Sequence, residues 1–310
     1  MGVALLFIDG VGIGRPDPAA NPLASAHYLL SQFDDGTGET LRGGSLFSVD
    51  ATFGVPGRPQ SASNQTALLT GEPAPALIGR HVLGFPNAPL RALLQEKSII
   101  KRMVSEGRSA TFANCYPAEY LDALHLRRLP SFRGDIAIPP QKARRLRASA
   151  TTLAMAAAEV PLRTFENARQ GDGLTNDIDG SFGSERGFDV PRRTPEESAA
   201  IFWRLASKVD FALFEHYLAD EAGHAQDWAK ARRALDTFDR FCRAAVGSRP
   251  PDWHLLICSD HGNVENLSSR SHTLNRVPVL YFGPTERWDE NPRNLADVGR
   301  GILRLVGIGR

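Results

Sequence analysis

The chain alternates between short apolar runs and longer amphipathic stretches. Val3–Ile8 is an unbroken apolar run that stops at Asp9-Gly10 and predicts a buried strand. Thr66–Thr70 lies in a segment of helical composition, after a polar stretch rich in Ser, Gln and Asn. Ser98–Ser105 predicts a helix that Gly107 ends, and Ala110–Asn114 predicts a strand. The alternation returns with Pro195–Ser207. This helix is opened by Thr194-Pro195-Glu196-Glu197, an N-cap followed by Pro in the first turn and acids near the positive end of the dipole. Val209–Tyr217 predicts a strand, and Asp227–Val246 a long helix with Trp228, Ala231, Leu235, Phe238 and Cys242 on one face. Trp253–Cys258 and Val277–Phe282 predict two more strands, and Leu295–Val306 a closing amphipathic helix. Buried strands separated by helices predict a doubly wound α/β fold whose mainly parallel sheet is covered on both faces.

The middle breaks this pattern. Residues 117–190 hold Pro139-Pro140, an Arg-rich stretch around Lys142–Arg147 and a Gly/Asp-rich stretch, Gly171–Gly187. They are expected to form a smaller α+β cap inserted into a discontinuous core of 1–116 and 191–310. Hinges are expected near Tyr116–Pro117 and Val190–Pro191, where Pro suits a chain leaving one packed unit for another. The length, 310 residues, accommodates a large α/β domain with such an insertion.

Composition narrows the function classes. Lys and Arg number 36 against 35 Asp and Glu, a net charge of +1, which gives no general electrostatic footprint for nucleic acid. No apolar run approaches the roughly 20 residues that cross a bilayer. The opening MGVALLFIDG lacks a basic flank and reads as a strand rather than a signal peptide. Three cysteines, Cys115, Cys242 and Cys258, cannot form a paired framework and have no metal-ligand spacing. A reducing cytoplasm is the expected compartment.

Four separated segments carry metal-ligand chemistry. Asp9 ends the first strand. Asp220-Glu221-Ala222-Gly223-His224 follows the strand Val209–Tyr217. Ser259-Asp260-His261-Gly262 follows Trp253–Cys258, and Ser271-His272-Thr273 precedes Val277–Phe282. The carboxyl ends of parallel strands share one rim, so the first three segments are expected to meet there. Asp220 and His224 are four residues apart and share a face on a helical turn. Carboxylate oxygen and imidazole nitrogen suit Zn, Mn or a similar divalent ion. A fifth segment, Pro59–Gly71, places the hydroxyls of Ser61, Ser63 and Thr66 at the start of a helix, where free N–H groups favour an anion and a serine can either cap the helix or serve as a nucleophile.

Together FIDGVGIG (7–14), DEAGH (220–224), SDHGN (259–263) and SHTLNRVPVLYFG (271–283) resemble the alkaline phosphatase superfamily of two-metal enzymes. The resemblance is closest to the branch of cofactor-independent phosphoglycerate mutase and phosphopentomutase. It covers most of the core and none of the cap. It implies an alkaline phosphatase-like core with one metal on Asp9, Ser61, Asp260 and His261, and the other on Asp220, His224 and His272. It implies a nucleophile ten residues before the Gly that ends the helix; counting back from Gly71 gives Ser61. It also implies a phosphate-binding role for Asn64. The sequence Ala62-Ser63-Asn64-Gln65 departs from the sulfatase pattern.

The activity implied by the resemblance is phosphoryl transfer through a phosphoserine, with two divalent ions, Mn or Zn and with Mg compatible. Water as acceptor gives hydrolysis of a small phosphate ester; a second hydroxyl gives a phosphomutase acting on a phosphorylated sugar or glycerate. Arg127, Arg128, Arg133 and Arg144 are the candidates to bind the anionic substrate. A non-catalytic binding protein on the same scaffold is the reading of another class. Competent residues at all seven ligand positions argue against it.

Overall fold

The computed structural model describes residues 2–124, 146–284, 288 and 290–309. Its centre is a six-stranded sheet in the order β2-β8-β7-β1-β6-β3. The strands are β1 (Gly2–Ile8), β2 (Gly44–Val49), β3 (Ala110–Phe112), β6 (Phe211–His216), β7 (Trp253–Ser259) and β8 (Val277–Phe282). β4 (Cys115–Tyr116) and β5 (Arg163–Thr164) form a small parallel sheet of their own. β1 pairs in parallel with both β6 and β7, and β3 in parallel with β6. β8 runs antiparallel to β7 and to β2.

The longer helices around the sheet are α1 (Ser61–Thr70), α2 (Ala88–Lys97), α3 (Ile99–Ser105), α4 (Ala150–Ala157), α5 (Pro195–Ala206), α6 (Leu218–Ala225), α7 (Trp228–Gly247) and α8 (Leu295–Leu305). The alternation of β1 divides them. Ala4, Leu6 and Ile8 face a buried cluster with Phe202 and Leu205 of α5 and Leu235, Phe238 and Phe241 of α7. Val3, Leu5 and Phe7 face the other cluster, with Leu68 of α1, Leu94 of α2, Met103 of α3 and Val298 of α8. Successive strand side chains point to opposite faces, so a strand apolar at every position is buried on both. The result is the doubly wound, mainly parallel sheet that the pattern predicts.

Local signals explain the helix ends. Thr194 accepts from the Glu197 N–H while the Glu197 carboxylate accepts from the Thr194 N–H, a capping box on the first turn of α5. On α7 the buried Ala231, Ala234, Leu235, Phe238, Phe241, Cys242 and Ala245 recur at helical spacing. The predicted strand 110–114 ends at Phe112. Beyond it, the Asn114 side chain takes over the pairing, accepting from the Glu215 N–H at 2.8 Å and donating to the Glu215 carbonyl at 2.7 Å.

No described residue of 117–190 enters the central sheet. Nor do the described residues of this segment close a core of their own, as a separate lobe on hinges would. Ala150, Ala154, Met155, Val160 and Leu162 are buried in the same cluster as Val3, Leu5 and Phe7. Leu174 and Ile178 are buried in the other cluster, with Ala4 and Leu6. The physical reason is that α4 is apolar enough to need cover, and it finds that cover on α1, α2 and α3. Among the described residues, no helix is long and apolar enough to cross a membrane.

Candidate metal centre and active site

The rim formed by the carboxyl ends of β1, β6 and β7 collects the predicted residues. Asp9 lies one residue past β1, and Asp260 and His261 lie directly past β7. Asp220 and His224 sit on α6, which starts just after β6. His272 reaches the same rim because β8 is antiparallel to β7, so the start of β8 lies beside the end of β7.

Two clusters result. In the first, His261 Nε2 lies 2.9 Å from Ser61 Oγ, 3.2 Å from Asp9 Oδ1 and 3.5 Å from Asp260 Oδ2. In the second, Asp220 holds His224 Nε2 at 3.3 Å and His272 Nε2 at 3.5 Å, and the two imidazole nitrogens are 3.1 Å apart. The clusters are neighbours: the rings of His261 and His272 stack with centroids 3.8 Å apart.

The donor chemistry of the second cluster fits a cation. His224 Nδ1 faces the Arg270 carbonyl at 2.8 Å, and His272 Nδ1 faces the Pro59 carbonyl at 2.7 Å. A carbonyl only accepts, so each Nδ1 carries the proton and donates. The two Nε2 atoms turn towards each other beside a carboxylate; in the neutral form of the rings their lone pairs would suit a shared cation, and without one a proton on Nε2 bonds to Asp220. The first cluster shows the same demand. Asp9 Oδ1 is buried and makes no hydrogen bond. Three buried or part-buried carboxylates converge, and within each cluster the ligand atoms lie within 4.8 Å of one another.

Electrostatics express this crowding. Burial, with the charges of Asp260 and Asp220, holds the Asp9 carboxyl well above its ordinary range. Burial opposes the charged form of His261, yet Asp260, Asp9 and Asp220 outweigh it and push the imidazole up to about 10. Burial likewise opposes ionisation of Asp220. Hydrogen bonds with His224 and His272, the nearby His261 and the Asn263 amide overcome it and take the carboxyl far below its usual range.

The three hydroxyls of the 61–66 stretch separate cleanly. Ser61, at the first turn of α1, faces His261. The Ser63 hydroxyl donates to the Gln60 carbonyl and accepts from the Val82 N–H. The Thr66 hydroxyl donates to the Ala62 carbonyl within the helix. Asn64 corrects an expectation. Its side-chain N–H groups donate to the carbonyls of Ala51 and Asp260, both at 2.8 Å, and it is fully buried, so it has no N–H left for a phosphate oxygen. It ties α1 to the loop after β7. Arg127, Arg128, Arg133 and Arg144 lie outside the described residues.

Sequence reasoning missed several residues. Gln65 Nε2 donates to Asp9 Oδ2 at 3.1 Å and Asp260 Oδ2 at 3.0 Å, which fixes both carboxylates. Its signal was available: it stands four residues after Ser61, on the same helical face. Asn263 Nδ2 donates to Asp220 Oδ1 at 2.6 Å. Glu215 is buried on β6 and lines the cleft with Asp9, Ser61, Asp220, Tyr116, Tyr120 and Tyr217. This cleft has a volume of about 460 Å³. Tyr116 and Tyr120 stack along its wall with centroids 5.4 Å apart, and Phe85, half exposed, stands at its edge.

Residues 191–309 match the family model of the metalloenzyme superfamily. A phosphopentomutase from Methylobacterium sp. (strain 4-46) is 36% identical over 91 residues, covering 28% of this chain and 22% of that protein. A 2,3-bisphosphoglycerate-independent phosphoglycerate mutase from Haloarcula marismortui is 32% identical over 101 residues, covering 29% and 20%. The chain thus aligns with about a fifth of the length of these curated relatives. In fold it is similar to the alkaline phosphatase of Thermus thermophilus, with a TM-score of 0.59 at 12% identity, covering 99% of this chain and 92% of that one. The alkaline phosphatase of the Antarctic bacterium TAB5 gives a TM-score of 0.57 at 14% identity, covering 100% and 99%. Residues 191–309 are thus similar to the metalloenzyme superfamily, and the chain as a whole shares the fold of the alkaline phosphatases. The match to the metalloenzyme model agrees with the paired carboxylate–histidine clusters at one sheet rim and implies divalent metal ions.

Proposed function

We propose that this protein transfers phosphoryl groups through Ser61 with the help of two divalent ions, and that its main reaction is hydrolysis of a small phosphate ester. The observation that carries this reading is the convergence on Ser61. Its Oγ is the hydroxyl of the 61–66 stretch that meets the Asp9–Asp260–His261 cluster, and the Asp220–His224–His272 cluster lies alongside. Asp9, Ser61, Asp260 and His261 would hold one ion, and Asp220, His224 and His272 the other. Bound there, Mn or Zn, with Mg also compatible with the oxygen donors, would favour the ionised serine and offset charge on the phosphoryl oxygens.

The chain's own residues supply the rest. The N–H groups of the first turn of α1 would favour the phosphate's negative charge. Gln65 keeps the Asp9 and Asp260 carboxylates in place. Ser61 Oγ forms its bond to phosphorus as the ester bond to the leaving alcohol breaks. Water then cleaves the phosphoserine and restores the hydroxyl. The inserted residues 117–190 would select the substrate, since Pro117, Tyr120 and Ser149 line the cleft and the four candidate arginines belong to the same segment. A second reading, phosphomutase, is favoured by the mutase relatives: there a hydroxyl of the retained substrate replaces water as acceptor.

Hydrolysis of an aryl phosphate with added Mn or Zn tests the proposal. Wild-type protein should turn over and leave phosphate on Ser61, visible by mass spectrometry. Ser61→Ala should lose about 10³-fold or more in rate, and Ser63→Ala should stay within about twofold of wild type. Undiminished turnover by Ser61→Ala would sink the reading.

A further inference from the structure

Four loops bring the donors of the two clusters to the rim, and one side chain touches three of them and reaches the fourth at one remove. Glu265 is buried, with 2% of its surface exposed. Its Oε2 accepts from the Gly12 N–H at 3.0 Å and from the Asn263 N–H at 2.7 Å. Its Oε1 accepts from the Thr273 hydroxyl and from Asn275 Nδ2 at 3.0 Å. Gly12 is three residues from Asp9, Asn263 two from His261, and Thr273 one from His272. Asn263 in turn holds Asp220. Among the described ion pairs none involves Glu265, so neutral donors alone satisfy its charge.

The glycines of the sequence motifs fit the same picture. A Cβ added at Gly12 or at Gly262 would overlap the Glu265 carboxylate. The glycines in FIDGVGIG and SDHGN therefore admit this carboxylate between the two loops. The Thr and Asn of SHTLN supply its remaining donors. Four charge-assisted hydrogen bonds on one buried carboxylate make a stiff joint, because without it the Gly12 and Asn263 N–H groups would be unpaired and buried and the partly buried Thr273 and Asn275 would lose their shared acceptor.

We infer that Glu265 is the positioning residue that sets the placement of both metal-binding clusters relative to each other. The inference rests on the two-metal reading above. Removing the carboxylate frees three loops at once, so the two sites weaken together, although Glu265 would touch neither ion. Partners of this outer kind alter metal affinity by about 10–100-fold.

The test is calorimetric titration of metal-stripped protein with Mn²⁺, with near-UV circular dichroism to confirm folding. Asp9→Ala and Asp220→Ala assign the two binding events. Glu265→Ala should weaken both by about tenfold or more. Glu265→Gln keeps an acceptor for the Gly12 and Asn263 N–H groups. On its other side the Thr273 hydroxyl can turn to accept and the Asn275 amide can flip. This variant should therefore stay within about threefold of wild type, a rescue that loss of packing alone would not predict. Should Glu265→Ala fail to fold, Thr273→Val carries the test. It removes one donor on the His272 loop and should weaken the Asp220–His224–His272 site selectively. Folded Glu265→Ala with unchanged affinities, or with one site weakened and the other intact, overturns the inference and leaves the two-metal reading standing. So does Thr273→Val with both affinities unchanged. Wild-type protein that binds no divalent ion overturns both.

Discussion

Glu215 and His216 are neighbours on β6 and live in different worlds. Successive residues of a strand point to opposite faces. Glu215 lines the cleft beside Asp9 and Ser61, whereas His216 stacks on Phe238 under the opposite layer, with its ring centroid 5.4 Å away. Burial pushes the Glu215 carboxyl up to about 7, with the Asp260 charge adding to it and a hydrogen bond from Thr151 opposing. A raised carboxyl keeps its proton in the folded state over a range where the unfolded chain has released it. Stability contributed by Glu215 is therefore complete below about 4.5 and falls as pH rises through about 7. With divalent ions chelated, wild type should lose on the order of 3 kcal/mol relative to Glu215→Gln across that window. Urea unfolding at several pH values measures it, and parallel pH profiles for the two proteins would contradict it. The residue was readable in principle. An acid inside the apolar run VDFALFEHY is unusual in a strand buried on both faces, and a buried charged group is the informative exception there. Asn64 shows the converse. Motif spacing gave its position, but not that both of its N–H groups are spent on backbone carbonyls.

At the scale of elements, what the sequence states locally survives folding. Thr194, Pro195 and Glu197 announce α5, and the capping box is there. Thr194→Ala should cost about 1 kcal/mol, read as a lowered urea midpoint with an unchanged denaturant slope. A shift much smaller than this would mean that Glu197 or water replaces the cap. Pairing direction is not local. The sequence places His272 before a strand, whereas Asp9, Asp220, His224, Asp260 and His261 follow theirs. Only the antiparallel setting of β8 against β7 puts all of them on one rim, and nothing in VPVLYF encodes that direction. β2 escaped for a related reason. GSLFSV is an edge strand in which only Phe47 and Val49 are buried, so it lacks the continuous apolar run that marks its central neighbours. α2 carried readable signals, Asn87 as N-cap and Pro89 in the first turn, in a segment with only two fully buried apolar positions.

At the scale of the whole molecule, the inserted segment decides how the protein unfolds. Composition marks 117–190 as different and suggests an independent lobe, because Pro, Gly and Asp interrupt the helix–strand rhythm. Burial tells otherwise. Met155 and Ala154 of α4 are fully buried in the cluster that also contains Leu5 of β1 and Leu256 of β7. Leu174 and Ile178 join the cluster on the other face, with Phe214 and Leu235. A segment sewn into both cores cannot open without exposing the sheet, so it should not melt on its own. The insertion and the α/β core should unfold in one cooperative transition, seen as a single calorimetric endotherm. Met155→Ala leaves a cavity in the shared cluster and should cost about 2–5 kcal/mol. That loss should move the whole endotherm, not split off a low-temperature shoulder. It should also appear when unfolding is followed by the aromatic signal of Trp203 and Trp253, which pack against each other on the far side of the sheet. Two separable transitions, or a Met155→Ala variant whose tryptophan signal melts at the wild-type temperature, would show that the segment is an independent lobe after all.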